Sequence, residues 1–401
     1  MRVALLTNIP SPYRLPFFRE LSLRCELKVL FDSRAEPNRQ WNVPDDLGFT
    51  HAYMPGFAIP HMRQRPDGGP NDLRYWQVRF GLLPSLLGYR PEVVVSAEFG
   101  LRSMQAAAYC AAARIPLILW SEGTPHSEGW QSALRRAIRR GLVKRARGFW
   151  SNGVESTQLL ESYGASVQST CEGMIGVSTF SLAEQVQAQL AHRPQIRTEL
   201  NLRGTVLLFS GQLIPRKGVK EFLAALLPLA PRVDEFSVIF LGEGLQRPMV
   251  EAWRAQHPEF HIATLGFRQP DFVPRIYAAA DIFVLPTLDD NWSLVALEAA
   301  VAGLPQVFSR YNGATRDLLD RQAPGIVVDP LDTNAFAAAL GQCLDTKPGR
   351  VAAQITASLI EYYSPAECAN RAIHSLETAL NRARPDQEAL VHTVNSSQRD
   401  T

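Results

Sequence analysis

The chain has 401 residues, of which 46% are hydrophobic and 20% are charged. This length allows two domains with cores of their own, which excludes a small disulfide-stapled protein, and the composition excludes a fibrous or wholly disordered chain. The net charge of +2 gives no reason to expect a nucleic-acid partner, although basic residues are in excess in positions 1–180 and acidic residues in the remainder. A basic first half could face an anionic partner.

The cysteines predict the compartment. There are five, an odd number, and they are scattered with no pair at metal-ligand spacing, as expected for reduced thiols in the cytoplasm. No stretch approaches the roughly 18 apolar residues that span a bilayer. We therefore expect a cytoplasmic protein that could still lie peripherally on the inner face of a membrane.

Short apolar runs alternate with helix-length amphipathic stretches along the first part of the chain. The predicted strands are 3–6, 27–31, 93–96 and 117–120, and the predicted helices are 16–23, 101–113 and 131–146. Such alternation is typical of βαβ units, which build a parallel sheet covered by helices on both faces.

The alternation stops around 160–200, where the sequence is polar, and then resumes with predicted strands at 206–210, 238–241, 261–265, 282–285, 306–309 and 326–328. We predict an α/β protein with two Rossmann-like doubly wound domains, 1–185 and 195–360, joined by a linker. A helix over 361–384 is expected to pack back on the first domain, and 385–401 is expected to be a disordered tail. Ligands of such sheets bind at the carboxyl ends of the strands, so a cleft between the domains would hold the ligand.

The most informative segment, 290–305, follows the predicted strand 282–285. Ser293 could cap a helix that runs to Ala302, and free amides at its start could hold a phosphate. Glu298 lies one turn into this helix among apolar residues, so its carboxylate needs a hydrogen-bonding partner. Ribose hydroxyls would serve, and a neighbouring arginine or a backbone amide would serve equally well.

A second segment, 207–220, is a predicted strand that ends in a loop containing Gly211 and then enters a helix. Glycine lets the backbone approach a ligand closely, and Lys217 could neutralise a diphosphate. The alternative is an ordinary solvated loop with basic residues.

Together these segments resemble the large family of nucleotide-sugar-dependent retaining glycosyltransferases with the GT-B architecture, family four, the glycosyl transferases group 1. The resemblance covers nearly the whole second domain. Its matching motifs occur in the family's order: Gly211 with Lys217-Gly218, Leu241-Gly-Glu-Gly244, Leu265-Gly-Phe267, Tyr277-Ala-Ala-Ala-Asp281, and Leu294-x-x-x-Glu298-Ala-x-x-Ala-Gly303-Leu-Pro305.

The resemblance implies transfer of a sugar from a nucleoside diphosphate sugar to an acceptor hydroxyl with retention, as in bacterial glycan, exopolysaccharide or glycoconjugate assembly. It implies that Glu298 holds the ribose and that Lys217, helped by Arg216, stabilises the leaving diphosphate. Asp290 and the amides of Asn291, Trp292, Ser293 and Leu294 would hold the donor sugar and the distal phosphate. Gly211 and Gln212, in the loop after the first strand of this domain, are further candidate donor-binding residues.

The sequence departs from the family pattern twice. Asp290 stands where the family usually has a glutamate, and Gln212 stands where it usually has an arginine. These departures keep open a non-catalytic nucleotide-sugar binding protein, and a nucleotide-sugar epimerase of the same architecture is a further alternative.

The first domain resembles the family less closely and supplies the candidate acceptor residues. Asn8 and Arg14 lie in the loop after the first predicted strand, and Arg14 could instead be a solvated residue at a helix start. Glu98 follows the strand 93–96, where it could also cap the next helix. Glu122 follows the strand 117–120 and is a candidate catalytic or acceptor-contacting carboxylate, whereas His126 is expected to be a plain loop histidine.

The sequence argues against a nicotinamide-dependent redox reaction and against a catalytic metal. In Gly242-Glu-Gly244 the third glycine of a dinucleotide fingerprint is replaced by Arg247, which argues against a nicotinamide site. No Asp-x-Asp pair stands at a strand end, so we expect no catalytic metal and no cofactor. The donor base, the donor sugar and the acceptor are not specified by the sequence.

The segment 130–147 is strongly basic and contains no acidic residue. Its arginines and lysine alternate with apolar residues at helical spacing, which is typical of a helix that contacts anionic lipid. The alternative is an ordinary surface helix whose apolar stripe faces the core and whose charges face water. A lipid-linked acceptor would suit the first interpretation, and a soluble glycan or small-molecule acceptor would suit the second.

Overall fold

The computed structural model describes residues 1–35, 43–63, 72–269 and 271–397, which divide into two compact units. Unit 1 contains Met1–Arg63, Asp72–Val177 and the chain from Tyr363 onward, and unit 2 contains Ser178–Tyr362. The predicted boundary at 185 therefore differs from the observed one. The predicted linker is not extended chain, because much of it belongs to helices of unit 2.

Unit 1 is built on a seven-stranded parallel sheet of order β3-β2-β1-β6-β7-β8-β9, with β4 and β5 forming a separate antiparallel hairpin. Its strands are β1 (Arg2–Thr7), β2 (Glu26–Phe31), β3 (Thr50–Tyr53), β4 (Gly56–Arg63), β5 (Asp72–Arg79), β6 (Val93–Ala97), β7 (Leu117–Ser121), β8 (Gly148–Ser151) and β9 (Thr170–Cys171). Its first helices are α1 (Leu15–Ser22), α2 (Leu82–Tyr89), α3 (Leu101–Ala113), α4 (Pro125–Glu128), α5 (Ala133–Val143) and α6 (Val154–Ser162), and a 3-10 turn covers Val167–Ser169.

Unit 2 is built on a six-stranded parallel sheet of order β12-β11-β10-β13-β14-β15. Its strands are β10 (Thr205–Ser210), β11 (Phe236–Leu241), β12 (Ile262–Gly266), β13 (Ile282–Leu285), β14 (Gln306–Ser309) and β15 (Gly325–Val328). Its helices are α7 (Phe180–Gln189), α8 (Arg193–Glu199), α9 (Val219–Leu226), α10 (Arg247–Gln256), α11 (Val273–Ala279), α12 (Leu294–Val301), α13 (Ala314–Asp320), α14 (Thr333–Thr346) and α15 (Ala353–Tyr362), with 3-10 turns at Leu190–His192, Pro215–Lys217 and Leu227–Glu235.

The two parallel sheets confirm the predicted α/β fold class. The central strands are apolar along their whole length, without polar alternation, because helices cover both faces of each sheet. Every residue of β6, β7, β10 and β11 is buried. These strands were predicted from the sequence, whereas β3, β8, β9 and the hairpin of β4 and β5 were not.

In each sheet the direction of strand addition reverses once. The reversal lies between β1 and β6 in unit 1 and between β10 and β13 in unit 2. Loops that leave neighbouring strands at a reversal turn to opposite faces, which opens a crevice at the carboxyl ends of those strands. The fold thus selects one edge of each unit as a candidate site.

The last helix, α16 (Pro365–Ser397), returns the chain to unit 1, where its first half packs on α1, β8 and β9. Cys368, Ala369, Ala372 and Leu376 are fully buried in the core of that unit. The helix as described extends to Ser397, past Pro385, where the disordered tail was expected to begin. Residues 398–401 lie outside the described part of the chain.

Candidate functional site

The candidate site of unit 2 lies at the reversal of its sheet, where the loops after β10 and β13 meet. Gly218 has φ +71°, and a Cβ at this position would overlap the carbonyl oxygen of Pro286. Leu288 donates its backbone N–H to the carbonyl oxygen of Arg216 at 2.8 Å, and the Thr287 hydroxyl donates to the same oxygen at 2.9 Å. The two loops are therefore joined backbone to backbone, which fixes the positions of the charged side chains that they carry.

Those side chains are the cations Arg216 and Lys217 and the carboxylates Asp289 and Asp290. Lys217 forms an ion pair with Asp290, and both side chains are nearly buried, at 12% and 13% exposure. Arg216 donates from Nη1 to the carbonyl oxygen of Asp289 at 3.2 Å. Burial alone would raise the pKa of Asp290, but the nearby charges of Lys217 and Arg216 outweigh it and lower the pKa. Lys217 and Arg216 are cations of the kind that bind a diphosphate.

Glycines clear the space beside this cluster. Gly211 has φ +144°, and a Cβ there would meet no atom within 4 Å, so the chain passes open space directly after β10. Gly242, after β11, has φ +145°, and a Cβ there would overlap the carbonyl oxygen of Gly211. The side chain of Gln212 is exposed at the same edge. Gly242 therefore allows two loops to pack closely through their backbones. Gly211 instead leaves open space in which a ligand could approach the chain.

The start of α12 differs in detail from the sequence prediction. Ser293 is the residue before the helix, as predicted, but its hydroxyl makes no capping hydrogen bond. Its backbone N–H instead donates to Oδ1 of Asn312 at 3.2 Å. Trp292 is buried and donates from Nε1 to Asp317 at 2.9 Å, while Asn291 and Leu294 are half-buried. Asn312 and Trp292 thus hold the loop in place, and the Ser293 amide is already bound to the protein.

Glu298 lies one turn into α12, half-buried, with the Tyr277 hydroxyl donating to Oε2 at 3.3 Å. Burial raises the pKa of this carboxyl to about 7, and the tyrosine hydrogen bond offsets only part of the rise. Tyr277 is itself fully buried and stacks on Phe283. The alternative partners considered from the sequence, an arginine or a backbone amide, are not among the described contacts of Glu298.

The candidate site of unit 1 lies at the reversal between β1 and β6, and an ion pair joins two of its predicted residues. Arg14, the residue before α1, pairs with Glu122 after β7. The Arg14 guanidinium also lies over the Trp120 ring, 4.6 Å from its centroid, and the Arg14 residue is only 6% exposed. The interpretation of Arg14 as a solvated helix-start residue is therefore wrong, since it is a buried cation that positions Glu122.

Asn8 and Glu98 lie at the same edge as this ion pair. The Asn8 Oδ1 accepts from the Thr7 hydroxyl at 3.3 Å, and the Asn8 carbonyl accepts from the Ser33 amide. Glu98 is exposed with φ +69°, an unfavourable conformation for a residue other than glycine. It does not cap α3, because the residue before that helix is Gly100. His126 lies in the short helix α4 and not in a loop.

Sequence reasoning missed a charged cluster beside these residues. Asp32, at the end of β2, is buried and forms an ion pair with Arg102 of α3. Burial raises the pKa of Asp32, and the charges of Arg102 and Arg79 offset part of that rise. The sequence signal that could have identified Asp32 is its position directly after a predicted strand. Asn312 after β14 carried the same signal and was also missed.

Among the described residues, no group of three or more His, Cys, Asp or Glu is placed to hold a metal ion. None of the helices in the described ranges is long and apolar enough to cross a bilayer. The five cysteines are all unpaired.

Comparison with known proteins agrees with this geometry. Residues 204–346 match the model of the family Glycosyl transferases group 1. D-inositol 3-phosphate glycosyltransferase of Salinispora tropica is 28% identical over 202 residues, which are 47% of this chain and 42% of that protein. GDP-mannose-dependent alpha-(1-6)-phosphatidylinositol monomannoside mannosyltransferase of Mycolicibacterium smegmatis is 34% identical over 190 residues, 44% of this chain and 47% of that protein. The chain thus spans less than half the length of these two relatives.

Solved structures extend the likeness to the whole chain. HepE of Anabaena in complex with UDP has a TM-score of 0.64 at 17% identity and covers 99% of this chain and 100% of its own. A glycosyltransferase from Rickettsia africae has a TM-score of 0.71 at 12% identity and covers 94% of this chain and 98% of its own. The chain therefore has the GT-B fold, with two Rossmann-like domains. Its residues 204–346, which match the glycosyl transferases group 1 model, carry Lys217, Asp290 and Glu298.

Proposed function

We propose that the protein is a retaining glycosyltransferase that moves a hexose from a nucleoside diphosphate sugar to an acceptor hydroxyl in bacterial glycan or glycoconjugate assembly. The observation that carries the proposal is the pairing of Lys217 with Asp290 at the reversal of a sheet whose sequence matches the group 1 family. Relatives of this domain are named for transfer to inositol phosphate and to a phosphatidylinositol mannoside.

In the proposed complex the donor binds unit 2. Glu298 accepts hydrogen bonds from the ribose hydroxyls, and Gly211 lets the diphosphate approach the chain. Lys217, helped by Arg216, faces the diphosphate as negative charge develops on the leaving group, which is where a fixed cation lowers the barrier. Asp290, with Asn291 and Leu294, holds the donor sugar. Gln212, Trp292 and Ser293 line this edge.

The proposed acceptor site is the carboxyl edge of unit 1. The buried Arg14 fixes the Glu122 carboxylate, and Asn8 and Glu98 lie at the same edge. Carboxylates and amides suit a polyhydroxylated acceptor because they accept and donate hydrogen bonds in fixed directions. We further propose a cytoplasmic location, as the five unpaired cysteines suggest, and a reaction that needs neither metal nor cofactor.

A panel of nucleoside diphosphate sugars tests the proposal. A donor that binds only the folded protein raises its Tm, and Glu298→Ala should remove that rise while the matched variant Glu184→Ala, an exposed carboxylate of the same unit, should keep it. The stabilising donor is then incubated with candidate acceptors, and the anomeric configuration of the product is read by NMR.

Formation of a glycoside with the donor's configuration supports the proposal. If the product were an epimerised nucleotide sugar, the protein would be an epimerase. If the protein bound the donor tightly but neither hydrolysed nor transferred it, the protein would be a non-catalytic nucleotide-sugar binding protein.

A further inference from the structure

Helices α2, α3 and α5 form one outer layer of unit 1, with α3 packed against both of the others. Their inner faces share a core in which Leu86, Ala106 and Leu142 are buried. Each of the three helices also exposes side chains to solvent beside this core. This outer layer, which we call the α2-α3-α5 face, is the subject of the inference.

The α2-α3-α5 face exposes more large apolar side chains than is usual for a protein surface. Each helix exposes a pair of large apolar side chains three or four residues apart, and the exposed fractions reach 63% at Leu87 and 71% at Leu134. The pairs are Leu83 with Leu87, Leu101 with Met104, and Leu134 with Ile138. Phe80, directly before α2, is 65% exposed and lies against the ring of Phe57 from the hairpin. Repeated apolar pairs on the solvent side of packed helices indicate a contact surface.

The charged side chains of these three helices are all basic. None of the three helices carries an aspartate or a glutamate. On α5, Arg135, Arg136 and Arg140 are exposed, whereas Arg139 turns inward and donates to Glu128 at 2.6 Å and to the Tyr163 hydroxyl at 3.2 Å. One arginine thus fixes the helix to unit 1 and leaves its neighbours directed outward.

We propose that the α2-α3-α5 face docks on an anionic lipid bilayer. The exposed leucines, isoleucine and methionine would enter the boundary of the acyl chains while the arginines meet the anionic headgroups. A second copy of this chain is a poor occupant, because it would bring positive charge against positive charge. Single-stranded RNA is a poorer occupant, because the exposed apolar side chains of the three helices are aliphatic and the rings of Phe57 and Phe80 lie only at the start of α2.

The proposal goes beyond sugar transfer and depends on unit 1 alone, so it can fail while the glycosyltransferase proposal holds. The test is sedimentation of the full chain with vesicles of phosphatidylcholine alone and of an equal mixture with phosphatidylglycerol, at low and at high salt. We expect binding to the anionic vesicles at low salt, and weaker binding at high salt.

Two variants separate the apolar and the electrostatic contributions. Replacing Arg135, Arg136 and Arg140 with glutamine should weaken binding to the anionic vesicles by on the order of a hundredfold, since each cation near such a surface contributes about fivefold. Leu87→Ser with Leu134→Ser should lower binding at both salt concentrations. The matched controls, Arg316→Gln and Leu331→Ser, change an exposed arginine and an exposed leucine of unit 2 and should bind as the wild type does.

Circular dichroism melts show whether each variant is folded, which the exposure of every changed residue leads us to expect. The proposal is overturned if the wild type does not sediment with anionic vesicles at low salt. It is equally overturned if the unit 2 controls lose as much binding as the unit 1 variants. Binding to a polyuridylate RNA that is tighter than binding to the vesicles, and unaffected by the leucine changes, would identify a nucleic-acid surface instead.

Discussion

At the scale of single residues, the Lys217–Asp290 pair links the donor proposal to stability. Lys217→Ala should lower turnover by about ten- to a hundredfold or more, because a cation aimed at a developing negative charge is typically worth several kcal/mol. It should also destabilise the protein, since the nearly buried Asp290 loses its main partner. Turnover is measured at saturating donor, and stability by urea titration.

The effects of Lys217→Ala on turnover and on stability can be separated. The double variant Lys217→Met with Asp290→Asn removes both charges, so it should recover most of the stability and none of the turnover. Arg216→Ala should cost less turnover than Lys217→Ala, because Arg216 donates to a backbone carbonyl of the neighbouring loop. A Lys217→Ala enzyme with wild-type turnover, beside an inactive Arg216→Ala enzyme, would make Arg216 the phosphate ligand.

Glu298 gives a second residue-scale prediction, which concerns pH. Its pKa of about 7 in the folded protein lies above the ordinary glutamate value, because burial disfavours the charged form. Below the ordinary value the carboxyl is neutral in both the folded and the unfolded state. As the pH rises to about 7 the unfolded state ionises first, so the stability of the wild type falls over this interval and then levels off.

Glu298→Gln removes this dependence because its side chain stays neutral. The variant should therefore be more stable than the wild type at pH 8, and the difference should shrink towards pH 4.5. The measurement is the free energy of unfolding in urea at several pH values. A difference that does not change with pH would show that Glu298 is not the residue that ionises.

At the scale of elements, the loops at the sheet reversal depend on glycine. Gly218 has φ +71°, and its missing Cβ makes room for the carbonyl oxygen of Pro286. Gly218→Ala should destabilise unit 2 by at least about 2 kcal/mol, through left-handed strain and separation of the two loops. Sugar transfer should fall with it, because Lys217 is the preceding residue.

The control for that change is Gly349→Ala in the same unit, where a Cβ meets no atom within 4 Å. It should alter the free energy of unfolding by no more than about 0.5 kcal/mol. Equal effects of the two substitutions would contradict the close approach of the loops. Urea unfolding followed by tryptophan fluorescence measures both variants.

At the scale of the whole molecule, the chain leaves unit 1 at Val177 and returns to it at Tyr363. The C-terminal helix α16 thereby completes a core that begins at the first strand. Leu376 is fully buried in that core. Leu376→Ala should cost about 2–5 kcal/mol, the usual range for a leucine cut back inside a packed core.

The exposed neighbour Glu377 supplies the control, since Glu377→Ala leaves the same helix without a cavity. Calorimetry should show the loss in the transition of unit 1, and a donor that binds unit 2 should not restore it. If Leu376→Ala instead lowered only the transition that the donor raises, α16 would belong energetically to unit 2.

The sequence alone determined the fold class and marked candidate site residues. Apolar runs without polar alternation predicted buried parallel strands, and glycines and charged residues directly after those runs marked Gly211, Lys217 and Asp290. This worked because strand burial and the position after a strand are local properties of the chain.

Only the tertiary structure decided which of these residues lie together. Lys217 and Asp290 are 73 residues apart, and they meet because the sheet adds β13 beside β10. The pairing of Arg14 with Glu122, the hydrogen bond from Tyr277 to Glu298 and the return of α16 to unit 1 have the same origin. Strand order and core closure depend on packing between distant segments, and the periodicity of a sequence reports only the surroundings of neighbouring residues.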